Sequence, residues 1–291
     1  MGLLKSTAVV SSMTMLSRVL GLARDMVFTR IFGAGAGTDA FLIAFKIPNF
    51  LRRLFAEGAF SQAFVPVLTE YKTQRSQDEV AELASRTAGT LGGVLFLISA
   101  ISVIAAPLLV MVFAPGFISN EAKFDLTTQM LRITFPYLLF ISLTALMAGI
   151  LNSYGKFAIP AFTPVFLNII LILAAIYLAP HLSDPITALA WGVFVAGIVQ
   201  LAFQLPYVAK LGLLRLPRWG WRDEGVRRIM KLMLPGIIGS SMMQINLLLD
   251  TLIASFLVTG SVTWLYLSDR MMELPLGVFG IAPATVILPG L

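Results

Sequence analysis

The sequence predicts an all-α, polytopic transmembrane helical bundle of about eight spans, and three observations predict it. Of 291 residues, 58% are hydrophobic and 12% charged, with a mean hydropathy of +0.88. Soluble domains carry about 25% charged residues, so a soluble core could not hide this much apolar surface. Apolar runs of roughly 20 residues, the length that crosses hydrocarbon, recur along the chain. Glycine and proline separate those runs, and the alternating pattern of a membrane β-barrel is absent.

The expected spans are 7–31, 39–69, 86–113, 127–151, 158–179, 186–209, 229–258 and 262–290. The first follows Lys5 but is interrupted by Ser11, Ser12, Thr14, Ser17 and Arg18. A signal peptide needs a continuous apolar run, so this segment is read as a retained span. Joins fall at Gly33–Gly37, Ala114-Pro115-Gly116, Asn152–Gly155, Ala179-Pro180 and Thr259-Gly260. There is no cysteine, which excludes disulfides and thiolate metal sites. The single histidine, His181, falls in a loop and reads as incidental.

Basic residues set the orientation. With a cytoplasmic N-terminus, the inside set is Lys5, Lys72, Arg75, Arg86, Lys156, Lys210, Arg215, Arg218, Arg222, Arg227, Arg228 and Lys231. The outside set is Lys123 and the helix-end Arg30, a strong positive-inside bias. The net charge of +6 is therefore topological and does not imply nucleic acid. The predicted organisation is an N-terminal lobe at 1–210, a cytoplasmic amphipathic loop at 211–228, and the start of a second lobe at 229–291. In the loop, Trp219 and Trp221 beside Arg218 and Arg222 suit a membrane interface, and an ordinary linker with topogenic charge fits equally.

Gly35–Asp39 opens the second span and Gly260–Trp264 the eighth, and each helix then carries charge and a proline, Pro48 or Pro275. This weak match suggests that span seven begins a second copy of a six-helix unit, which on this reading stops after two helices.

The chemistry concentrates in the first two spans. A charge at the bilayer centre costs about 2.5–3.5 kcal/mol on insertion scales, yet this hairpin carries Arg18, Arg24, Asp25, Asp39, Lys46, Arg52, Arg53 and Glu57. At 100° per residue, Ser11, Thr14, Ser17, Arg18, Gly21, Arg24 and Asp25 share an arc of about 140°. Asp39, Lys46, Arg53 and Glu57 share one stripe with Asn49 nearby, and Arg52 points off it. Pro48 should bend this helix, which membranes tolerate beside a cavity. Span eight adds Asp269, Arg270 and Glu273 within a turn of one another, where a local network is one reading. Structural pairing, Arg18 with Asp25 or Arg53 with Glu57, is an alternative for the hairpin. Cations outnumber carboxylates, however, and an excess of guanidinium in a membrane cavity suits an anion, above all phosphate. Asp250 is isolated among leucines, as a cap or an ion contact. Walker, nucleophile-elbow and zinc motifs are absent, so an enzyme is not expected.

Seven stretches carry a resemblance. They are SRVLGLARD (17–25), IFGAGAGTDAF (31–41), KIPNFLRRLFAEGAFSQAFVPVLTEY (46–71), APGF (114–117), ITFPY (133–137), ILNSYGKFAIPAFTPVFLNI (150–169) and DRMMELPLGVFGIA (269–282). In these the chain resembles the MurJ/MviN family of bacterial lipid II flippases, within the multidrug/oligosaccharidyl-lipid/polysaccharide exporter superfamily. The resemblance implies fourteen helices in two six-helix lobes facing a cationic cavity, plus two more. It also implies an inner-membrane protein of cell-wall peptidoglycan synthesis. Such a protein moves the undecaprenyl-pyrophosphate-linked disaccharide-pentapeptide to the periplasmic leaflet by alternating access, among membrane lipids and other peptidoglycan synthesis proteins. Family residues fall on Arg18, Arg24, Asp39, Arg52 and Arg270, with Ser17, Asn49, Arg53, Glu57 and Glu273 in support. Arg18, Arg24, Arg52 and Arg270 are expected to bind pyrophosphate. No cofactor is implied, and coupling to membrane potential or to a monovalent ion stays open. The chain stops where family members continue for about six helices, so an inactive fragment or scaffold is an alternative, as is a cation-coupled exporter of drugs or other lipid-linked oligosaccharides.

Overall fold

The structure is a computed structural model that describes residues 3–53 and 59–275. Among them the elements are helical: α1 (Leu3–Phe32), α2 (Ala36–Arg52), α3 (Ser61–Gln74), α4 (Gln77–Ile104), α5 (Ala106–Phe113), α6 (Glu121–Thr134), α7 (Tyr137–Ser153), α8 (Ala158–Leu173), α9 (Thr187–Lys210), α10 (Glu224–Ser255) and α11 (Ser261–Pro275). Among the described residues four stretches are long and apolar enough to cross a membrane: Gln77–Ile104, Glu121–Ser153, Ala158–His181 and Thr187–Lys210.

Several expected spans are subdivided or extended. Within span 39–69 the described helices are α2, of 17 residues, and α3, of 14, and residues 54–58 lie outside the described residues. Span 86–113 begins earlier, at Gln77, because Ser76 and Glu79 form a reciprocal capping box. It breaks at Ala105, just before Pro107, which has no N–H to continue the ladder. Span 127–151 is extended back to Glu121 and broken before Pro136, which caps α7. The seventh span begins at Glu224, where the Asp223 side chain accepts from the Val226 N–H. The eighth is described as α11, and the remainder of 262–290 lies outside the described residues.

In lipid, helices associate by close packing and by small residues at their contacts. Gly192 on α9 is such a contact: a Cβ there would lie 3.0 Å from both Ala174 and Leu171 side-chain carbons. A Cβ at Gly197 would lie 2.8 Å from the Tyr137 ring. One core joins α1, α2, α6, α7 and α9 around Phe28, Phe41, Phe135 and Leu189. Its Phe28 and Phe41 rings meet edge to face at 6.0 Å. A second core joins α3, α4, α7, α9 and α10 around Phe64, Leu83, Leu151 and Ile229. Outside these, Phe96, Leu97, Ile101, Ile104 and Leu108 leave an exposed apolar strip on α4 and α5, as a lipid-facing surface requires.

α10 packs against α3 and α11 against α2, so the last two helices close over one side of the first nine. The segment between α9 and α10 is extended and not helical. It lies along α4: the Ser85 Oγ donates to the Leu216 carbonyl at 2.6 Å, and the Arg218 N–H donates to the Ser85 carbonyl at 3.2 Å. Trp219 and Trp221 stack at 6.1 Å and are exposed.

Candidate functional site: a cationic cavity between the helices

A cavity of about 740 Å³ lies between α1, α2, α7, α8, α9, α10 and α11. Its charged wall is Arg18 and Arg24 from α1, Lys46, Arg52 and Arg53 from α2 and the residue after it, and Asp269 and Arg270 from α11. Asp269 is the one carboxylate among these described lining residues. Ser17 and Asn49 line it too, and the opposite wall is neutral, with Thr144, Thr163, Asn168, Gln200 and Gln204. A smaller cavity of about 430 Å³ adjoins it, sharing Ser17, Arg18, Asn152, Pro160 and Pro164.

The floor of the cavity is a buried ionic network. Arg24 is 4% exposed and Asp25 5%. Arg24 Nε and Nη2 both donate to Asp25 Oδ1, at 3.0 and 2.7 Å. Arg24 Nη1 donates to Asn168 Oδ1 at 3.1 Å, and Nη2 also donates to the Tyr266 hydroxyl at 2.7 Å. That hydroxyl donates in turn to Asp25 Oδ1 at 3.1 Å. Arg270 Nε stands 3.3 Å from Asp25 Oδ2. Asn168 Nδ2 donates to the Ser17 carbonyl at 3.0 Å, which ties α8 to α1. One carboxylate thus serves two guanidinium groups from opposite sides of the cavity, so positive charge remains in excess. Asp25 pairs with Arg24 and Arg270, where the sequence offered Arg18 as its partner, and Arg270 reaches across to α1. The pairing of Arg53 with Glu57 and the part of Glu273 in a local network on α11 lie outside the described residues.

On α2, Lys46 Nζ donates to Thr251 Oγ1 of α10, and Arg52 Nε donates to Asn49 Oδ1 at 2.7 Å. The field at Lys46 includes Asp269 and Asp250, the latter left without a role by the sequence. Pro48 lies inside α2.

Asp39 is a correction. It shares the stripe of Lys46 and Arg53, but it is fully buried and is not among the residues lining the cavity. Seven residues are about 10.5 Å along a helix, and that places Asp39 at the helix end rather than at cavity depth. There Asp39 Oδ2 accepts from the Gly260 N–H at 2.7 Å, and Oδ1 accepts from the Thr263 N–H at 2.9 Å and the Thr263 hydroxyl at 2.7 Å. It therefore caps α11 from another helix. Lys123, expected as a loop residue, is 6% exposed and donates to Asp39 Oδ2 at 2.8 Å, with its ammonium 4.0 Å from the Phe117 ring centre. Asp25, also expected at the cavity surface, lies beneath Arg24 and is not among its lining residues.

Glu57 lies outside the described residues, and so does the side chain of Glu273. Sequence reasoning passed over Asn168, Tyr266, Thr251, Gln200 and Gln204. The signals available were neutral polar side chains inside otherwise apolar helices, with the two glutamines one turn apart.

These observations define a helical membrane protein built around a predominantly cationic cavity suited to an anion. A family profile described as "Lipid II flippase MurJ" matches residues 28–291. The chain belongs to the lipid II flippase MurJ family. It is 53% identical, over 99% of its length and 56% of the relative, to a "Probable lipid II flippase MurJ" of Vibrio cholerae. It is 44% identical, over its whole length and 57% of the relative, to a "Lipid II flippase MurJ" of Burkholderia cenocepacia. Among solved structures it is similar to "Lipid II flippase MurJ, inward closed conformation", with a TM-score of 0.82, 30% identity, and coverage of 97% of this chain and 58% of that one. A MOP superfamily transporter from Pyrococcus furiosus shares the fold at a TM-score of 0.56 and 17% identity, with coverage of 94% of this chain and 61% of that one. The chain spans about half the length of the curated relatives it matches.

Proposed function

We propose that the cavity binds the pyrophosphate of an undecaprenyl-linked peptidoglycan precursor, lipid II, and that the chain belongs to the machinery carrying it across the bacterial inner membrane. The observation that carries this reading is the charge of the cavity wall, where five guanidinium groups and Lys46 face one lining carboxylate. Arginine offers a planar fork that matches phosphate oxygens. A cation-coupled exporter would need carboxylates at the same place, and the lining is poor in them.

With the N-terminus inside, as the basic residues suggest, the Asp39 latch lies at the outer end. The structure is then closed outward, and phosphate binding in the cavity precedes rocking of the lobes. Residues 1–210 form the first lobe, and α10 and α11 begin the repeat-related second one. A substrate with about two negative charges gains roughly 4–5 kcal/mol on leaving a cytoplasm held 100 mV negative, at about 2.3 kcal/mol per charge. Membrane potential can therefore drive export with no nucleotide.

The test uses cells depleted of their own flippase and expressing this chain. Precursor accessible at the outer face of the inner membrane should be restored by the chain and lost with Arg24→Ala. Normal accessibility with an inserted Arg24→Ala variant contradicts the cavity assignment. No accessibility with the inserted parent chain contradicts transport by these residues alone.

A further inference from the structure

The neutral wall of the cavity holds a pair of acceptors that the protein itself does not use. Gln200 and Gln204 stand one turn apart on α9 and are 2% and 1% exposed. Gln200 Nε2 donates to the Thr163 carbonyl at 3.2 Å, and Gln204 Nε2 donates to the Thr163 hydroxyl oxygen at 2.8 Å. Both amide orientations follow from their partners. A carbonyl oxygen only accepts, so Gln200 must turn its NH₂ toward it. With the Thr163 hydroxyl donating to the Ile159 carbonyl at 2.9 Å, Thr163 Oγ1 accepts from Gln204. The two Oε1 atoms are left over, and neither has a hydrogen-bond partner among the described residues.

Buried acceptors without donors are costly, and a packing role would be filled as well by leucine or methionine. Both glutamines line the cavity. Its cationic side chains are donors with no acceptor capacity, so they can donate to a hydroxyl oxygen but cannot accept from a hydroxyl or an amide N–H. The glutamine carbonyls add acceptors beside a wall whose charged side chains, Asp269 apart, only donate. Thr144, also lining the cavity, has its proton committed to the Phe140 carbonyl at 2.8 Å and adds a third acceptor. The two chemistries are held by one helix. Thr163, which orients the glutamines, and Asn168, which bonds Arg24, lie five residues apart on α8, about 7.5 Å along its axis.

We infer that Gln200 and Gln204 form a neutral acceptor subsite for the hydroxyl or amide N–H donors of a sugar attached to the phosphate that the guanidinium cluster holds. This rests on the reading that the cavity takes a phosphorylated, lipid-linked substrate. The subsite makes the cavity discriminate between a carrier lipid bearing an N-acetylated sugar and the bare pyrophosphorylated carrier.

The experiment is equilibrium binding to the chain in lipid nanodiscs with two probes: undecaprenyl pyrophosphate, and the same lipid bearing its N-acetylated disaccharide. The parent chain should prefer the sugar-bearing probe. Gln204→Met and the double variant Gln200→Met/Gln204→Met should lose that preference, with about tenfold weaker binding of the sugar-bearing probe and less than twofold change for the bare one. Equal losses for both probes, or no loss, in variants that unfold at the parent temperature would overturn the inference. Should the methionine variants fail to fold, Thr163→Val keeps both glutamines and removes the hydroxyl that orients Gln204. The preference should then fall, and an unchanged preference overturns the inference. A parent chain that binds both probes equally defeats the subsite alone. A parent chain that binds neither defeats the phosphate reading and the subsite with it.

Discussion

The Asp39 carboxylate on α2 accepts two hydrogen bonds from Thr263 on α11, from its backbone N–H at 2.9 Å and its hydroxyl at 2.7 Å. Residues 224 positions apart are thereby held at one end of the bundle, with Lys123 closing the same carboxylate from α6. Breaking a buried ion pair by removing one charge costs about 3–5 kcal/mol, because the other charge stays buried. Asp39→Asn should therefore lower the thermal unfolding temperature sharply, and adding Lys123→Met should recover part of the loss. A double-mutant cycle without coupling would show that the pair does not hold this end closed.

The network around Asp25 predicts a graded series. Asp25→Asn removes the buried carboxylate that Arg24 and Arg270 share, and should cost several times more than Tyr266→Phe. The latter removes one hydroxyl from a network that keeps its Arg24–Asp25 contact, at about 1–3 kcal/mol. Chemical denaturation of the three chains in one detergent checks the order.

Small residues on α4 make room for the extended segment before α10. A Cβ at Gly89 would lie 2.2 Å from the Arg218 carbonyl oxygen, and one at Gly93 would lie 2.7 Å from the Trp219 ring. Gly89→Ala should displace the segment. The amides of Arg218 and Gly220, bonded to the Ser85 carbonyl and to Thr90 Oγ1, should then exchange faster with deuterium. Helix α4 itself should keep its protection.

The Glu70 carboxyl, on α3, is held below the usual carboxylate range chiefly by the hydrogen bond from Arg228, which precedes the predicted seventh span. A lowered value means that this contribution is present at neutral pH and is lost as pH falls through the lowered value. Glu70→Gln should separate from the parent in unfolding temperature near pH 7, and the two should converge in strong acid. The pair is exposed, so the separation should be small and should shrink with salt.

The helices were legible because apolar runs of membrane length are a strong signal, and the excess of arginine over carboxylate was legible by counting. Depth was not. Helical spacing assigns a residue to a face, so Asp39 reads as a companion of Lys46 although it lies about two turns away at the helix end. Partnerships across the chain were also hidden. Nothing near Lys123 announces a carboxylate 84 residues earlier, and nothing near Arg270 announces Asp25. The neutral groups Asn168, Gln200, Gln204 and Tyr266 carry no charge to mark them in an apolar helix. Only the fold brings them to the cavity wall. The breaks at Ala105 and Pro136 follow from proline chemistry that an apolar-run rule passes over.

The most direct measurement of the central claim is binding of undecaprenyl pyrophosphate to the chain in nanodiscs, with inorganic pyrophosphate as competitor. The account predicts saturable binding that weakens with salt and with competitor, and at least a tenfold loss in Arg24→Lys, whose single ammonium cannot reproduce the guanidinium fork. Binding that ignores both the competitor and this substitution, in a variant as stable as the parent, would contradict it.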